Sequence, residues 1–338
     1  MVISLEDFNK ITKSLTKLKV LVIGDIMLDR YVWGDTSRVS EESPVLVVEV
    51  DHKDERLGGA GNVVNNLVKL GSNVTLAGVV GPDFYGEKIK SRLKRMQVDS
   101  SAVFSDLNRP TTTKKRVIAR GQQVVRIDYE KRDPIDERTE DKLIAYLENN
   151  INNFDAIVVS DYAKGALTKR ILHKIANLIE ENSFGLDKCP VILDPKPANR
   201  DFYKGINIVK PNRREAENIA DMKIDSIDDA LKAAQKIYKA LGVKSVLLSL
   251  GADGMIYYDQ DNPEGIHSST LAKKVFDVSG AGDAVVSCFI TALAAGFPIK
   301  QSMSFANFGA AYVVSEVGTV PVNLEVMKKE LEYYYQQK

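Results

Sequence analysis

Short apolar runs rich in β-branched residues recur along the chain, each bounded by Gly, Asp or Pro. They lie at 19–25 (KVLVIGD), 73–81 (NVTLAGVVG), 156–161 (AIVVSD), 191–195 (VILDP), 206–212 (INIVKPN) and 245–251 (SVLLSLG). The runs are apolar throughout rather than alternating, the pattern of strands covered on both faces. Helical periodicity fills the intervals, at 60–70, 84–97, 136–151, 168–182, 226–241, 281–296 and 302–315. Strand–helix alternation of this kind predicts crossover connections and an α/β sandwich with a mostly parallel central sheet. Nearly every predicted strand ends in Gly, Asp, Ser or Asn, at the sheet edge where open α/β folds bind ligands.

Two stretches depart from this pattern, 31–56 (YVWGDTSRVSEESPVLVVEVDHKDER) and 109–131 (RPTTTKKRVIARGQQVVRIDYEK). Both read as extended, yet both carry polar residues inside strand-like runs. If 114–120 is a strand, Lys114, Arg116, Ile118 and Arg120 share one face. Such strands do not suit the middle of a buried parallel sheet, and a small separate β layer over the main sheet accommodates them better. At about 150 residues per domain, a chain of 338 residues suggests two domains. No repeat, low-complexity linker or charge block marks a second unit. The expectation is therefore one domain over 1–338 with a discontinuous β lid from about 31–57 and 109–131.

Composition narrows the function classes. Lys plus Arg and Asp plus Glu number 46 each. A neutral chain lacks the electrostatic footprint expected for nucleic acid or an anionic membrane surface, and neither is predicted as a partner. Cys189 and Cys288 match no metal-binding spacing and read as buried, reduced thiols. The N-terminal segment has no apolar core of the signal-peptide kind. The uncharged run 284–299 is too short and too rich in small residues for a membrane span. A soluble cytoplasmic protein is the expectation.

Several motifs are excluded directly. No Gly-Lys pair exists, so there is no Walker A loop, and no GxGxxG follows the first strand. With three histidines and neither HExxH nor GxSxG, zinc and serine hydrolases are disfavoured.

The informative segment is DVSGAGDAVVSCFITALAAG (277–296). Its glycines open a helix that is apolar all round and therefore buried. Such an N-terminus presents unpaired N–H groups and the positive dipole end to an anion. Asp283 beside that cradle suits a proton acceptor next to transferring phosphate; the alternative is a helix cap. Earlier in the sequence lie GGAGNVVNNLVKLG (58–71), a second Gly-rich helix entry, KPNRREAEN (210–218), with Asn212 and Glu215 three apart, and the glycine turn SLGADG (249–254).

This ordered set resembles the ribokinase-like, or PfkB, carbohydrate kinases over essentially the whole chain. The resemblance implies a three-layer sandwich with a β lid and an ATP-dependent kinase. It implies Asp283 as catalytic base and the amides of Gly280, Ala281 and Gly282 as an anion hole for the γ-phosphate. Asn212 and Glu215 match the N-x-x-E element associated with Mg²⁺ and its waters, with Arg213 and Arg214 between them; an N-cap and a first-turn Glu is the structural alternative. Ser249, Gly251 and Gly254 match the nucleotide-binding turn, and Asn307 a position near adenine or a helix–helix hydrogen bond. Gly58, Gly59, Asn62, Asp25 and Asp29 match sugar-binding positions, Asp25 more securely than Asp29. Related members use a monovalent cation near the 277–283 loop, and lid edges often pair into a homodimer.

Asn62 falls three residues after Gly59, where ribokinase-like members usually have four, which argues against ribose. Longer phrases, including GDIMLDRYVWGDTSRVSEESPV, TKKRVIARGQQVVRIDYE, SDYAKGAL and DPK, resemble the heptose 7-phosphate kinases of lipopolysaccharide-precursor synthesis. That resemblance implies transfer to the anomeric hydroxyl of D-glycero-β-D-manno-heptose 7-phosphate. A distal phosphate calls for Arg or Lys, with Lys114, Arg116, Arg120 and Arg126 as candidates. No HxGH motif occurs, so adenylyl transfer is not expected and a stand-alone kinase is. The alternatives are another sugar or nucleoside kinase of the same fold, fructokinase-like, and a catalytically inactive sugar-binding regulator.

Overall fold

The computed structural model describes residues 2–337. In chain order the strands are β1 (Lys19–Val39), β2 (Leu46–Gly59), β3 (Asn73–Val80), β4 (Asp99–Ser105), β5 (Thr113–Ala119), β6 (Gln122–Tyr129), β7 (Ala156–Ser160), β8 (Val191–Asp194), β9 (Ile208–Val209), β10 (Ser245–Ser249), β11 (Met255–Asp259) and β12 (Ile266–Ser268). The helices are α1 (Leu5–Leu15), α2 (Ala60–Lys69), α3 (Phe84–Arg95), α4 (Glu137–Asn150), α5 (Lys169–Glu181), α6 (Arg213–Ala220), α7 (Ile227–Leu241), α8 (Ala281–Ala294), α9 (Ile299–Val314) and α10 (Leu324–Gln336).

The central sheet has the order β12-β11-β10-β9-β8-β7-β1-β3-β4 and is parallel from β10 to β4. Only β11 and β12, at one edge, run antiparallel to their neighbours. Both faces are covered, as the continuous apolar runs predict. Along β1, Val20 and Val22 join the core beneath α1, α2, α3, α8, α9 and α10, whereas Leu21 and Ile23 join the core beneath α4, α5, α6 and α7. In β7, Ala156 and Val158 face the first core and Ile157 and Val159 the second.

The two polar extended stretches form a second, smaller sheet. Its order is β2-β1-β5-β6, and it shares β1 with the central sheet. Residues 19–25 of β1 pair with β3 and β7, and from Ile26 onward the same strand pairs with β2 and then β5. One continuous strand thus carries the chain out of the core and into the lid. The lid is therefore joined to the core through a continuous backbone ladder.

Elements without a clear run were not predicted. α1 buries Phe8, Ile11 and Leu15 on one stripe, and β4, α6, β11, β12 and α10 complete the layers. The predicted strand at 206–212 shortens to two residues in β9, because the chain turns at Pro211 into α6. Cys189 and Cys288 are free and buried. Among the described residues, no helix is long and apolar enough to cross a membrane.

Candidate active site

The site forms at the C-terminal edge of the parallel strands, around the start of α8. This helix buries every residue from Asp283 to Leu293. Its N-cap is Gly280 at φ 83°, with no side-chain cap. An added Cβ there would sit 3.1 Å from both Asn62 Nδ2 and Thr319 Cγ2, so the turn requires glycine both for its left-handed backbone and for space. Asp283 is therefore not the cap, and its carboxylate turns into the space between α8 and α2. Asn62 donates to Asp283 Oδ2 at 2.6 Å, and the Tyr162 hydroxyl donates to Oδ1 at 3.2 Å.

Burial and the nearby Asp194 carboxylate push Asp283 up to about 6, against the Asn62 and Tyr162 hydrogen bonds and the Lys210 charge. Lys210 is itself buried and pairs with Asp194 at 2.8 Å. Burial disfavours its ammonium, yet Asp194, Glu215 and Asp283 together lift its pKa above the ordinary lysine value. A carboxylate poised near neutrality, with a fixed cation a few ångströms from the helix N-terminus, is the environment expected of a general base.

Two cavities meet at Asp283, and Tyr162, Gly280 and Asp283 line both. The larger, about 880 Å³, is lined by Asn212, Arg213, Arg214, Glu215, Ser249, Gly251, Gly254, Ala281, Gly282 and Asn307, all predicted from the sequence. Asn212 and Glu215 make a full capping box at the start of α6, with both hydrogen bonds at 2.9 Å. Glu215 also pairs with Lys196. The structural alternative is thus realised, and the same residues still face the cavity. Asn307 accepts from the Leu271 amide at 3.3 Å and donates to Ser269 O at 2.6 Å, which fixes the 268–271 loop along the cavity wall.

The smaller cavity, about 350 Å³, lies beneath the lid and is lined by Asp29, Gly58, Gly59, Asn62, Lys114 and Arg116, with Tyr31 and Trp33 as an aromatic wall and Arg56 at its side. Gly58 is required by close approach, since a Cβ would collide with the Asp29 carboxylate. Arg116 donates to Asp29 Oδ1 at 2.6 Å, and Arg56 donates to Thr319 O at 2.7 Å. Lys114 lies 5.9 Å from the Tyr162 ring centroid, and burial lowers its pKa despite the attraction of Asp29. The three cations of the cavity are held by one strand of the lid and the end of another.

Three predicted residues, Asp25, Arg120 and Arg126, are not brought to either cavity. The Asp25 carboxylate accepts from the backbone amides of Tyr162, Lys164 and Ala166 at 2.8, 3.0 and 3.0 Å, and so points under the 161–166 loop. Asp25 and Asp29 are four apart on β1, but the strand changes sheets between them, so they do not share a destination. Arg120 has φ 50° at the turn between β5 and β6, which ends the alternation that Lys114 and Arg116 follow. It pairs with Asp35 at 2.7 Å, with both side chains largely exposed. Arg126 likewise pairs with Asp128, at 2.9 Å, away from the cavity. Sequence reasoning passed over Tyr162, Asp194, Lys196 and Lys210. Each sits at or just after the end of a parallel strand, so the rule that ligands gather at strand C-termini could have found them.

The pfkB family carbohydrate kinase profile matches residues 17–325. The chain is 41% identical over 305 residues to the bifunctional protein HldE of Trichlorobacter lovleyi, covering 90% of this chain and 61% of that protein. It is 38% identical over 320 residues to the HldE of Syntrophotalea carbinolica, covering 95% and 64%. The chain thus spans rather less than two thirds of the length of these relatives. Among solved structures, ribokinase of Arabidopsis thaliana complexed with ribose and ATP superposes with a TM-score of 0.73 at 22% identity, covering 93% of this chain and 99% of that one. Phosphofructokinase-2 of Escherichia coli in complex with potassium gives 0.74 at 20%, covering 94% and 99%. These likenesses establish the ribokinase-like fold. The match across residues 17–325 decides the family: the chain belongs to the pfkB family of carbohydrate kinases.

Proposed function

We propose that this chain transfers the γ-phosphate of ATP to the anomeric hydroxyl of D-glycero-β-D-manno-heptose 7-phosphate, giving the 1,7-bisphosphate. The observation that carries the reading is Asp283, buried in the wall shared by the two cavities. A nucleotide in the larger one and a sugar in the smaller one would meet at this carboxylate. Similarity to HldE supports heptose 7-phosphate as the acceptor, and the cations of the lid cavity suit its distal phosphate.

In this reading Asp29 and Asn62 orient the sugar hydroxyls. Asp283 accepts the hydroxyl proton as the new O–P bond forms and the bond to the departing ADP breaks. Lys210 and the N–H groups of the α8 first turn stabilise charge on the transferring group. Magnesium arriving with ATP supplies charge neutralisation at the phosphates. The carboxylates lining the nucleotide-side cavity besides Asp283 are Asp194 and Glu215. Each is held by a lysine, so these oxygens suit a magnesium ion reached through water rather than a direct cage. The lid excludes water that would otherwise take the phosphate. Exposed Val39, Leu46, Val125 and Ile127 on its strands support a homodimer through the lid.

The test is Asp283→Asn, which keeps shape and removes basicity. Turnover should fall by about 10²–10⁴-fold with nucleotide affinity preserved. Retention of more than a tenth of the turnover would remove Asp283 from the role.

A further inference from the structure

One loop touches both Asp283 and the lid. Residues 161–166 connect β7 to α5, and Tyr162 on this loop reaches the catalytic carboxylate through its hydroxyl, 3.2 Å from Asp283 Oδ1. The loop's own backbone is gripped from below, since Asp25 accepts from three of its amides. It is also gripped from both ends of the lid's β5–β6 hairpin. Lys164 pairs with Glu130, just past β6, at 2.7 Å. Buried Arg109, just before β5, donates to Lys164 O at 2.8 Å and to Asp133 O, and pairs with Asp106 at 3.1 Å. A loop tied in this manner has little freedom, and the Tyr162 side chain inherits that rigidity.

We propose that Tyr162 is a positioning residue for Asp283, and that the buried Asp25 carboxylate acts through it by clamping the 161–166 loop. The inference rests on Asp283 being the base. Asp283 has two oxygens, one engaged by Asn62 and the other by Tyr162. With both engaged, the side-chain rotamer is fixed where Asp283 lines both cavities. Tyr162 suits this task because burial, with Asp283 and Asp194 nearby, keeps its hydroxyl well above the ordinary phenol range. It therefore remains a donor and does not compete for the substrate's proton. Asp25 does not touch the cavity, so its burial is explained by the three amides it organises. A misplacement of about 1 Å at a reacting group costs on the order of 100-fold in rate, so a fixed carboxylate matters.

The pH dependence follows from the groups around Asp283. From α2 it faces Asn62, from the 161–166 loop Tyr162, from the end of β8 Asp194, and after β9 Lys210. Tyr162 in turn faces Lys114, Lys196 and Asp29. A hydrogen bond donated to the carboxylate favours its charged form, so loss of the Tyr162 hydroxyl raises the pKa of Asp283. The acid limb of kcat then moves to higher pH.

The experiment measures kcat and KM against pH for the whole chain with ATP, magnesium and heptose 7-phosphate, comparing wild type with Tyr162→Phe, Asp25→Asn and Asp283→Asn. Tyr162→Phe should lower kcat about 10- to 100-fold. Both KM values should stay within about threefold, with the acid limb displaced upward and melting nearly unchanged. Asp25→Asn should lower kcat in the same way, with melting followed to confirm folding. An inactive Asp283→Asn alongside a Tyr162→Phe of unaltered kcat and pH profile overturns the positioning role alone. An active Asp283→Asn overturns the base assignment, and the positioning role with it. A lowered melting temperature in Tyr162→Phe with an unmoved acid limb also overturns the proposal, since it marks a structural role only.

Discussion

At the scale of single residues, chemistry and stability oppose each other at Asp283. Its folded-state pKa is raised to about 6 by burial and Asp194, above the unfolded value. The cost of ionising it is absent well below pH 4, grows as pH rises through the raised value and is complete above it. The shift corresponds to about 3 kcal/mol. Asp283→Asn should accordingly raise the melting temperature at pH 8 while abolishing turnover, and a scan at pH 4 should show a much smaller gain. The lid cations give a second residue-scale contrast. Arg116→Ala should raise KM for the sugar phosphate about 10- to 100-fold, from the loss of a charged hydrogen bond of about 1.5–3 kcal/mol. Arg120→Ala, at the exposed turn, should leave KM unchanged, and equal effects of the two variants in initial-rate measurements would refute the placement. Asp283 and Arg116 were legible in the sequence because each sits in a local pattern, a Gly-rich helix start and an alternating strand. Asp25 was assigned by resemblance alone, and the change of sheet on β1 between it and Asp29 leaves its carboxylate under the 161–166 loop. Tyr162 and Lys210 were missed because their neighbours arrive from other loops.

At the scale of elements, α8 was the clearest to read. A helix that is apolar all round must be buried, and one opened by glycines must hold its first turn against something small or charged. Gly280→Ala tests that reading. A residue with a Cβ in the left-handed region costs about 1–2 kcal/mol, and the added methyl crowds Asn62 and Thr319. Denaturant unfolding should show that loss, with a fall in kcat as Asn62 moves from Asp283; unchanged stability and turnover would mean that the turn relaxes freely. The continuous apolar runs for β1, β3, β7, β8 and β10 gave correct strands because burial on both faces leaves little room for polar residues. β11 and β12 were obscured at an edge, where pairing rather than composition defines the strand. α1 lies outside the strand–helix alternation, although Phe8, Ile11 and Leu15 carry a helical stripe.

At the scale of the whole molecule, a formal charge of zero conceals local clusters of charge. Cations gather at the lid cavity and at Lys210, and carboxylates take up the balance as ion pairs around them. A neutral total therefore argues against bulk attraction to a polyanion and is compatible with a small anionic substrate. The sheet-sharing strand β1 is the whole-molecule feature that alternation alone could not reveal, and it places the lid's basic residues over Asp283. We propose a site that phosphorylates a sugar already carrying a phosphate. Its most direct test is ADP release, with ATP and magnesium, over a panel of D-glycero-β-D-manno-heptose 7-phosphate, the unphosphorylated heptose, fructose, fructose phosphates, ribose and adenosine. The account predicts the highest kcat/KM with the heptose 7-phosphate, whereas faster turnover of any unphosphorylated acceptor would contradict it.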